Sequence, residues 1–444
     1  MDTSKNEIVI IGNGISGITA ARNIRKNSKQ KITIISGETE YFYSRTALMY
    51  IFMGHMKYEH TMPYEIDFWK KNNIQLIFDW VIDIDCIHNT VLFKSKEPVR
   101  FDKLILALGS KPNKFGWKGQ ELDGVQGLYH FQDLELLEKN SLNCRQAVII
   151  GGGLIGIELA EMLMSRGIEV TFLIREKSFW SNVLPLKDSQ FVTNHILTHH
   201  ITLKFETELK EIVGDEFGRV KHIITSKDEI LDCQLCGLTA GVSPNIQFLK
   251  NTKVTTDRGV LVNEYFETNV PNIYAIGDCA QFENSIPGRR TIEQVWYTGK
   301  IMGETIAKTI CGNRSAYNPG NWFNSAKFFD LEYQTYGVVS PILGGGQEDF
   351  YWEKNGKAMH FVFESQTRKF LGINSFGLRL RHESFDKWLT AEKSIEFVLE
   401  HLVEANFNPE FSKHYETDII KAFNTEKGKS LKSKKKAFGR IFSI

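Results

Sequence analysis

Residues 8–17 read IVIIGNGISG, and this stretch decides the fold. Four apolar residues predict a buried strand, and the pattern Gly12-x-Gly14-x-x-Gly17 then leads into a helical sequence. Glycines at this spacing allow a tight turn and a close approach to a pyrophosphate, which the free N–H groups at a helix N-terminus can bind. The next predicted strand is followed by Glu38, an acid placed to bind a ribose hydroxyl. We therefore expect a dinucleotide-binding unit.

The same pattern recurs in the middle of the chain. Residues 147–156 read AVIIGGGLIG, with Gly151, Gly153 and Gly156 at the same spacing and a helical sequence behind them. Two complete units in one chain predict two bound dinucleotides and an α/β fold with parallel sheets. The combination is far more specific than either copy alone.

The second unit departs from the pattern where an acid is expected. Ile174 occupies that position, and Arg175 and Glu176 follow. An arginine there can pair with the 2′-phosphate of NADP, whereas a glutamate can bind the hydroxyls of NAD. The choice between the two dinucleotides stays open, and we write the cofactor as NAD(P)H.

A third signal is the strand-like run NVPNIYAIGDCAQF at residues 269–282. It ends in Gly277-Asp278, and a carboxylate at a strand end beside glycine can bind a polyol such as the ribityl chain of FAD. A Gly-Asp step alone is usually a turn. Here the step indicates FAD binding because it follows two dinucleotide-binding units.

Composition limits the remaining possibilities. A chain of 444 residues has room for about three domains, and 42% apolar with 24% charged residues is typical of a globular protein. Six cysteines are too few for a disulfide framework. We see no signal peptide and no apolar run of membrane-spanning length, so we expect a cytoplasmic protein.

Charge is concentrated at the C-terminus. Seven basic residues and no acid lie in the last eighteen positions, and the rest of the chain is mildly acidic, which argues against nucleic-acid binding. The tail is either solvated or a contact to the inner membrane surface, with Phe438, Ile441 and Phe442 inserting shallowly. Its basic residues are Lys427, Lys429, Lys432, Lys434, Lys435, Lys436 and Arg440.

With these motifs, residues 5–316 resemble the pyridine nucleotide–disulfide oxidoreductase superfamily of flavoproteins. Residues 103–113 and 236–245 are similar to its two links between nucleotide domains. The resemblance implies that the first glycine unit holds FAD and the second holds NAD(P)H. The implied domains are an FAD domain at 1–113 and 246–316, an NAD(P)H domain at 114–245, a C-terminal α+β interface domain at 317–425, and a basic tail at 426–444.

The absence of a cysteine pair indicates which branch of that superfamily the chain resembles. Disulfide-reducing members carry a cysteine pair in the stretch that corresponds to residues 41–54, which read YFYSRTALMYIFMG and contain no cysteine. This stretch resembles the branch of ferredoxin, rubredoxin and nitrite reductases, in which Arg45 matches an arginine near FAD. Residues 289–312 resemble the helix whose N-terminus points at the flavin.

The resemblance also implies the site residues. Those near the reacting rings would be Arg45, Glu158 and Trp296. FAD would be bound by Gly12, Gly14, Ser16, Gly17, Glu38, Arg45, Ala107, Gly109, Gly277, Asp278, Gln294 and Val295. NAD(P)H would be bound by Gly151, Gly153, Leu154, Ile155, Gly156, Arg175, Glu176 and Gly241.

Several candidates have simpler explanations. Cys233 and Cys236 form a C-x-x-C pair, but we expect both in one strand, where residues three apart face opposite sides, so a dithiol or metal role is disfavoured. Cys279 beside Asp278 is expected to be a packing residue. His195 and His199 are spaced for one helix face, but the sequence suggests no third ligand, and we predict no metal site.

The expected function is an FAD-dependent NAD(P)H oxidoreductase that passes electrons to a small redox protein such as a ferredoxin or rubredoxin. Two alternatives stay open. One is a quinone-reducing or oxygen-reducing dehydrogenase at the membrane surface, and the other is a slow flavoprotein whose C-terminal domain serves docking or sensing.

Overall fold

The computed structural model describes residues 7–286, 288–411 and 413–434. The chain divides into two compact units. The first comprises Met1–Thr171 and Glu208–Pro319, and the second comprises Phe172–Thr207 and Gly320–Ile444. This division does not separate the predicted FAD and NAD(P)H domains from each other. The boundaries between those two domains therefore stay a prediction.

The first glycine unit forms the centre of a five-stranded parallel sheet in the first unit. The strand order is Ile273–Ala275, Lys103–Leu106, Glu7–Ile11, Lys31–Ser36 and Ile74–Phe78. These strands are nearly continuous apolar runs because a parallel sheet is covered on both faces. The helix Ile15–Asn27 begins directly after the glycine turn, as the sequence predicted.

The second glycine unit repeats this arrangement within the same compact unit. The strand Gln146–Ile150 pairs in parallel with Leu235–Leu238, which pairs in turn with Val125–Gln126. The helix Leu154–Met164 starts immediately after Gly153. Both predicted strand–turn–helix units are therefore present.

Smaller elements complete the first unit. Its other helices are Leu48–Phe52, Phe68–Lys71, Phe131–Ser141 and Trp296–Ile310, with 3-10 turns at Arg45–Ala47, Tyr58–Thr61, Gln247–Asn251 and Gly277–Cys279. Its other strands are Val81–Asp85, Thr90–Phe93, Val99–Arg100, Ser110–Pro112, Leu209–Gly214, Val220–Thr225, Ile230–Asp232, Val242–Pro244, Val260–Val262 and Ala280–Phe282. The strand Glu169–Ile174 continues from the first unit into the second.

The second unit contains a five-stranded antiparallel sheet. Its strand order is Phe323–Phe328, Leu331–Gly337, Phe370–Phe376, Lys357–Glu364 and Gln347–Lys354. Aromatic and aliphatic side chains of the sheet and of the last helices form one buried core. The unit's helices are Leu186–Leu197, His382–Thr390, Ile395–Glu400 and Glu416–Lys427, with a 3-10 turn at Leu402–Ala405 and a strand at Thr202–Phe205.

The architecture confirms the predicted class, an α/β fold with two nucleotide-binding units and a C-terminal α+β region. In the part of the chain that the structure describes, no helix is both long and apolar enough to traverse a bilayer. Part of the basic tail is described, and there Lys427 and Lys434 form ion pairs with Glu348 and Glu400. The other residues on which the membrane hypothesis depends, Lys435, Lys436, Phe438, Arg440, Ile441 and Phe442, lie outside the described residues.

Candidate functional site

A cavity of about 640 Å³ opens in the first unit, at the carboxyl ends of the parallel strands. Its volume lies within the usual range of small-molecule sites. Both glycine units contribute to its wall. Of the predicted site residues, the cavity is lined by Gly12, Gly14, Ser16, Glu38, Arg45, Ala107, Gly109, Ile155, Glu158, Gly277, Asp278, Gln294 and Trp296.

The three glycines of the first turn have different tasks. A Cβ on Gly12, whose φ is +112°, would lie 2.0 Å from the carbonyl oxygen of Ala107, and a Cβ on Gly17 would lie 2.1 Å from that of Gly12. A Cβ on Gly14 would meet nothing within 4 Å and would occupy open space before the helix. Gly12 and Gly17 are thus required for packing, whereas Gly14 leaves room for a ligand.

The helix behind this turn presents an anion site. Gly14 is its N-cap, no side chain caps it, and its first turn carries no acid. The first N–H groups of the helix and the positive end of its dipole therefore remain available to a pyrophosphate.

Glu38 lies in the cavity wall within a charged cluster. Arg45 donates to both carboxylate oxygens at 2.9 and 2.7 Å, and Tyr43 Oη and the backbone N–H of Phe131 donate to Oε1 at 2.5 and 2.9 Å. Burial acts to raise the pKa of Glu38, but His130 and Arg45 outweigh it and hold this pKa well below its usual value. The carboxylate therefore stays ionised and keeps lone pairs on Oε2 for a hydroxyl donor.

Asp278 lies in the 3-10 turn Gly277–Cys279, which follows the strand Ile273–Ala275 of the parallel sheet, so the strand ends shortly before the predicted Gly277-Asp278 step. Ser110 Oγ and Tyr129 Oη donate to its Oδ2 at 3.1 and 3.0 Å, and Gln294 Nε2 donates to Ser110 Oγ at 2.7 Å. Burial raises the pKa of Asp278. The group can exchange hydrogen bonds with the hydroxyls of a bound polyol.

Sequence reasoning missed Ser110 and Tyr129. Ser110 lies within residues 103–113, whose resemblance to a linking motif gave it no role, and Tyr129 matches no motif. They reach Asp278 from 168 and 149 residues away. The carbonyl oxygen of Tyr129 also accepts a hydrogen bond from Arg45. Tyr129 therefore connects two predicted FAD-binding residues.

The second glycine unit reaches the same cavity through its helix. Ile155 and Glu158 line the wall, and burial, with the nearby charge of Glu161, raises the pKa of Glu158 to about 7. The helix N-cap Gly153 has no side-chain cap, and a Cβ there would have only the carbonyl oxygen of Thr239 at 4.0 Å. This turn thus leaves space beside the helix N-terminus, as the turn at Gly14 does.

Other predicted nicotinamide residues do not line the cavity. Leu154 and Gly156 lie in the first turn of the helix, and Gly151 and Gly241 have φ of +110° and +86°. Arg175 and Glu176 lie in the second compact unit, where the guanidinium approaches the carboxylate to 3.2 Å. The roles of all six in NAD(P)H binding stay a prediction.

Trp296 is the first residue of the helix Trp296–Ile310, with Val295 as N-cap. Trp296 lines the cavity and is 40% exposed, which is unusual for a tryptophan and places an aromatic ring at the cavity mouth. Glu293 is buried in an ion pair with Arg289 and accepts a hydrogen bond from Tyr317 at 3.0 Å. The carboxylate of Glu293 is therefore engaged within the protein.

The cysteines fit a structural role, with one correction. Cys236 lies in the strand Leu235–Leu238, but Cys233 precedes that strand, so the prediction of a shared strand is wrong. Both thiols are buried and free, and burial raises their pKa values, that of Cys233 to about 12. Burial likewise raises the pKa of Cys279 to about 12, which makes its thiol unreactive.

The sequence suggested no acid beside His195 and His199, but the structure places one there. Asp330, on the hairpin turn between two strands of the antiparallel sheet, contacts both imidazoles. A separation of 131 residues or more hid this carboxylate from sequence reasoning.

Comparison with known proteins agrees with this geometry. The sequence profile described as pyridine nucleotide-disulphide oxidoreductase matches residues 6–300. An NADH-rubredoxin oxidoreductase of Clostridium acetobutylicum is 30% identical over 314 residues, which cover 70% of this chain and 76% of that protein. An NAD(P)H nitrite reductase of Bacillus subtilis is 28% identical over 311 residues, or 69% of this chain, but the match spans only 38% of the nitrite reductase.

A solved structure extends the likeness to the C-terminal region. A ferredoxin reductase of Rhodopseudomonas palustris, 22% identical, superposes with a TM-score of 0.78 and covers 94% of this chain and 100% of its own. That likeness shows a shared fold. The family profile, the two glycine units and the common cavity agree: the chain belongs to the pyridine nucleotide-disulphide oxidoreductase family of FAD- and NAD(P)H-dependent oxidoreductases.

Proposed function

We propose that this protein takes hydride from NAD(P)H onto FAD and passes the electrons to a small redox protein such as a ferredoxin or rubredoxin. The observation that carries the proposal is the single cavity lined by both glycine units. Gly14 and Asp278 line it from the first sheet, and Ile155 and Glu158 line it from the helix of the second unit. Such a cavity can hold two ring systems against each other.

The residues of the first glycine unit would hold FAD. The helix after Gly14 would bind the pyrophosphate, Glu38 a ribose hydroxyl, and Asp278 the ribityl chain. FAD, when bound, supplies an acceptor for the hydride of NAD(P)H and a donor for single electrons. The helix that begins at Trp296 would direct its positive end toward the flavin and favour negative charge there.

Glu158 would act on the nicotinamide. Hydride leaves a neutral dihydronicotinamide and creates a positively charged ring. A carboxylate at the wall would stabilise that charge as it develops. With a pKa of about 7, Glu158 would supply this negative charge increasingly as the pH rises through neutrality.

Three observations support the proposed acceptor. None of the described residues lining the cavity is a cysteine, so the wall provides no thiol relay. The half-exposed Trp296 instead gives the cavity an aromatic edge open to solvent, which a protein acceptor could cover. The named activity of the clostridial relative, NADH-rubredoxin oxidoreductase, supports an acceptor of this class.

Rapid mixing under anaerobic conditions tests the proposal. Flavin-loaded protein is reduced with NADH or NADPH and then mixed with rubredoxin, ferredoxin, a soluble quinone or oxygen. We expect reoxidation by one of the redox proteins to be the fastest. Faster reoxidation by quinone or oxygen would favour the dehydrogenase alternative, and slow reoxidation by every acceptor would favour a docking or sensing role.

A further inference from the structure

Three side chains of the second compact unit converge on one point. His195 Nε2 and His199 Nε2 lie 2.9 and 3.0 Å from the same oxygen, Oδ1 of Asp330, and 3.4 Å from each other. The imidazoles are largely buried, with 22% and 28% of their side-chain surface exposed, whereas the carboxylate is 77% exposed. The cluster is therefore preformed on the histidine side and accessible on the acid side.

These separations match the edges of a small coordination sphere. With bonds of about 2.0 to 2.1 Å and tetrahedral angles, ligand atoms around Zn²⁺ lie about 3.3 to 3.4 Å apart. The distance between the two imidazole nitrogens already has this value, and the two distances to the oxygen fall short of it by about half an ångström or less. A small shift of the exposed Asp330 would admit an ion.

The surrounding fold fixes the ligands in this orientation. His195 lies in the last turn of the helix Leu186–Leu197, and His199 follows one turn later on the same face. Phe329 stacks on the ring of His199 with centroids 4.4 Å apart, and is itself buried. Its φ of +59° is costly for a phenylalanine, so packing holds this turn in a strained conformation that presents Asp330.

We propose that His195, His199 and Asp330 form a binding site for a divalent transition-metal ion, preferentially Zn²⁺. Two imidazoles and one carboxylate suit zinc, whereas Ca²⁺ and Mg²⁺ prefer sets of oxygen ligands. The exposed side of the cluster leaves a fourth position to water. A bound ion would tie the hairpin turn Phe329–Asp330 to the end of the helix Leu186–Leu197.

The same contacts would also occur in a hydrogen-bonded cluster that binds no metal. The test must therefore distinguish a metal site from such a cluster. The full-length, flavin-loaded protein is treated with a chelator, dialysed, and titrated with ZnCl₂ by calorimetry. The variants are His195→Gln, His199→Gln and Asp330→Asn. The matched control is His88→Gln, because His88 forms an exposed pair with Asp85 at 2.6 Å without a second histidine.

We expect one Zn²⁺ per chain in the wild-type protein and in His88→Gln. Each of the three cluster variants should weaken binding more than about tenfold, since even outer-sphere changes cost that much in zinc sites. Zn²⁺ should also raise the melting temperature of the wild-type protein but not of the variants. Asp330→Asn changes an exposed turn residue and keeps the test valid if a histidine variant misfolds.

Two results would overturn the site. One is a wild-type protein that binds no more Zn²⁺ than His195→Gln. The other is a loss of binding in His88→Gln as large as in Asp330→Asn, which would mean that exposed histidines bind the ion unspecifically.

Discussion

Glu158 is the side chain whose ionisation bears most directly on the proposed hydride transfer. If its carboxylate stabilises the nicotinamide charge, the rate of flavin reduction should rise with pH through an inflection near 7, the pKa to which burial raises this group. In Glu158→Gln the rate should lose this inflection and fall about tenfold at pH 8, as expected for about one pKa unit of lost stabilisation. Stopped-flow reduction by NADH between about pH 5.5 and 9 measures both.

Glu161 provides the control for this assignment. Its negative charge contributes to the raised pKa of Glu158, so Glu161→Gln should shift the inflection to lower pH without abolishing it. A profile that keeps its inflection in Glu158→Gln would show that another group controls the reaction.

Arg45 and Glu38 form an ion pair in the cavity wall. The carboxylate is 12% exposed and the guanidinium 31%, so removal of the arginine leaves a largely buried anion. We expect Arg45→Ala to destabilise the flavin-loaded protein by about 3 kcal/mol and to lower its flavin content. Urea unfolding and absorbance after gel filtration measure the two effects.

The exposed pair Arg258 and Asp257 is the matched comparison. Its side chains are 71% and 61% exposed and 3.9 Å apart, so Arg258→Ala should change stability by less than about 1 kcal/mol. Equal effects of the two substitutions would argue against the role given to Arg45.

Sequence reasoning succeeded for residues whose role depends on local spacing. Gly12 and Gly14 follow the first strand and Glu38 follows the second, so one strand–turn–helix–strand pattern places them around one ligand, and the structure puts all three in the cavity wall. It missed Tyr129 and Asp330 because each acts on a partner more than a hundred residues away. Only tertiary packing brings such pairs together.

Glycine also controls how two helices of the first unit meet. On the helix Trp296–Ile310, a Cβ on Gly303 would lie 2.6 Å from the carbonyl oxygen of Ser16 and 2.8 Å from Cβ of Thr19, both on the helix Ile15–Asn27. We expect Gly303→Val to force these helices apart, at more than about 2 kcal/mol, and to reduce flavin binding. Urea unfolding and flavin content test this.

Gly14→Ala separates ligand contact from packing. Its new methyl group would meet no protein atom within 4 Å, so stability without flavin should change by less than about 1 kcal/mol. Flavin content should nevertheless fall, because the methyl group occupies the space proposed for the pyrophosphate. Full flavin content in this variant would contradict the proposed binding mode.

A buried histidine joins three elements of the second unit. His360 Nδ1 contacts Asp188 of a helix at 2.7 Å, and Nε2 contacts Asp349 of the neighbouring strand at 2.9 Å. Burial opposes protonation, but these two carboxylates outweigh it and raise the pKa of His360 to about 9. The protonated imidazole therefore stabilises the folded state.

The pH dependence of this contribution has a definite sign. Stabilisation is complete below the unfolded-state pKa of about 6.5 and is lost as the pH rises through about 9. We expect His360→Gln to cost about 3 kcal/mol near pH 6, with the difference from the wild type shrinking above pH 9. Thermal unfolding midpoints of both proteins across this pH range measure the difference in stability. A difference that grows with pH would contradict the stabilising role of the protonated imidazole.

Across the chain, the order of elements was easier to predict than the contacts between them. Both glycine units gave the expected strand, turn and helix, and the C-terminal region combines strands and helices, as the predicted α+β class requires. The pairing of those strands, in contrast, depends on side-chain packing between distant segments. The NAD(P)H preference and the electron acceptor also depend on surfaces that no local pattern specifies.

A reductive titration of the flavin-loaded protein under anaerobic conditions tests direct electron transfer through FAD. NADH is added stepwise, and the equivalents needed to bleach the flavin fully are counted. Without a thiol relay in the cavity wall, we predict about one NADH, or two electrons, per FAD. A requirement for about two NADH, or four electrons, would reveal a redox-active disulfide in series with the flavin and would contradict the proposed function.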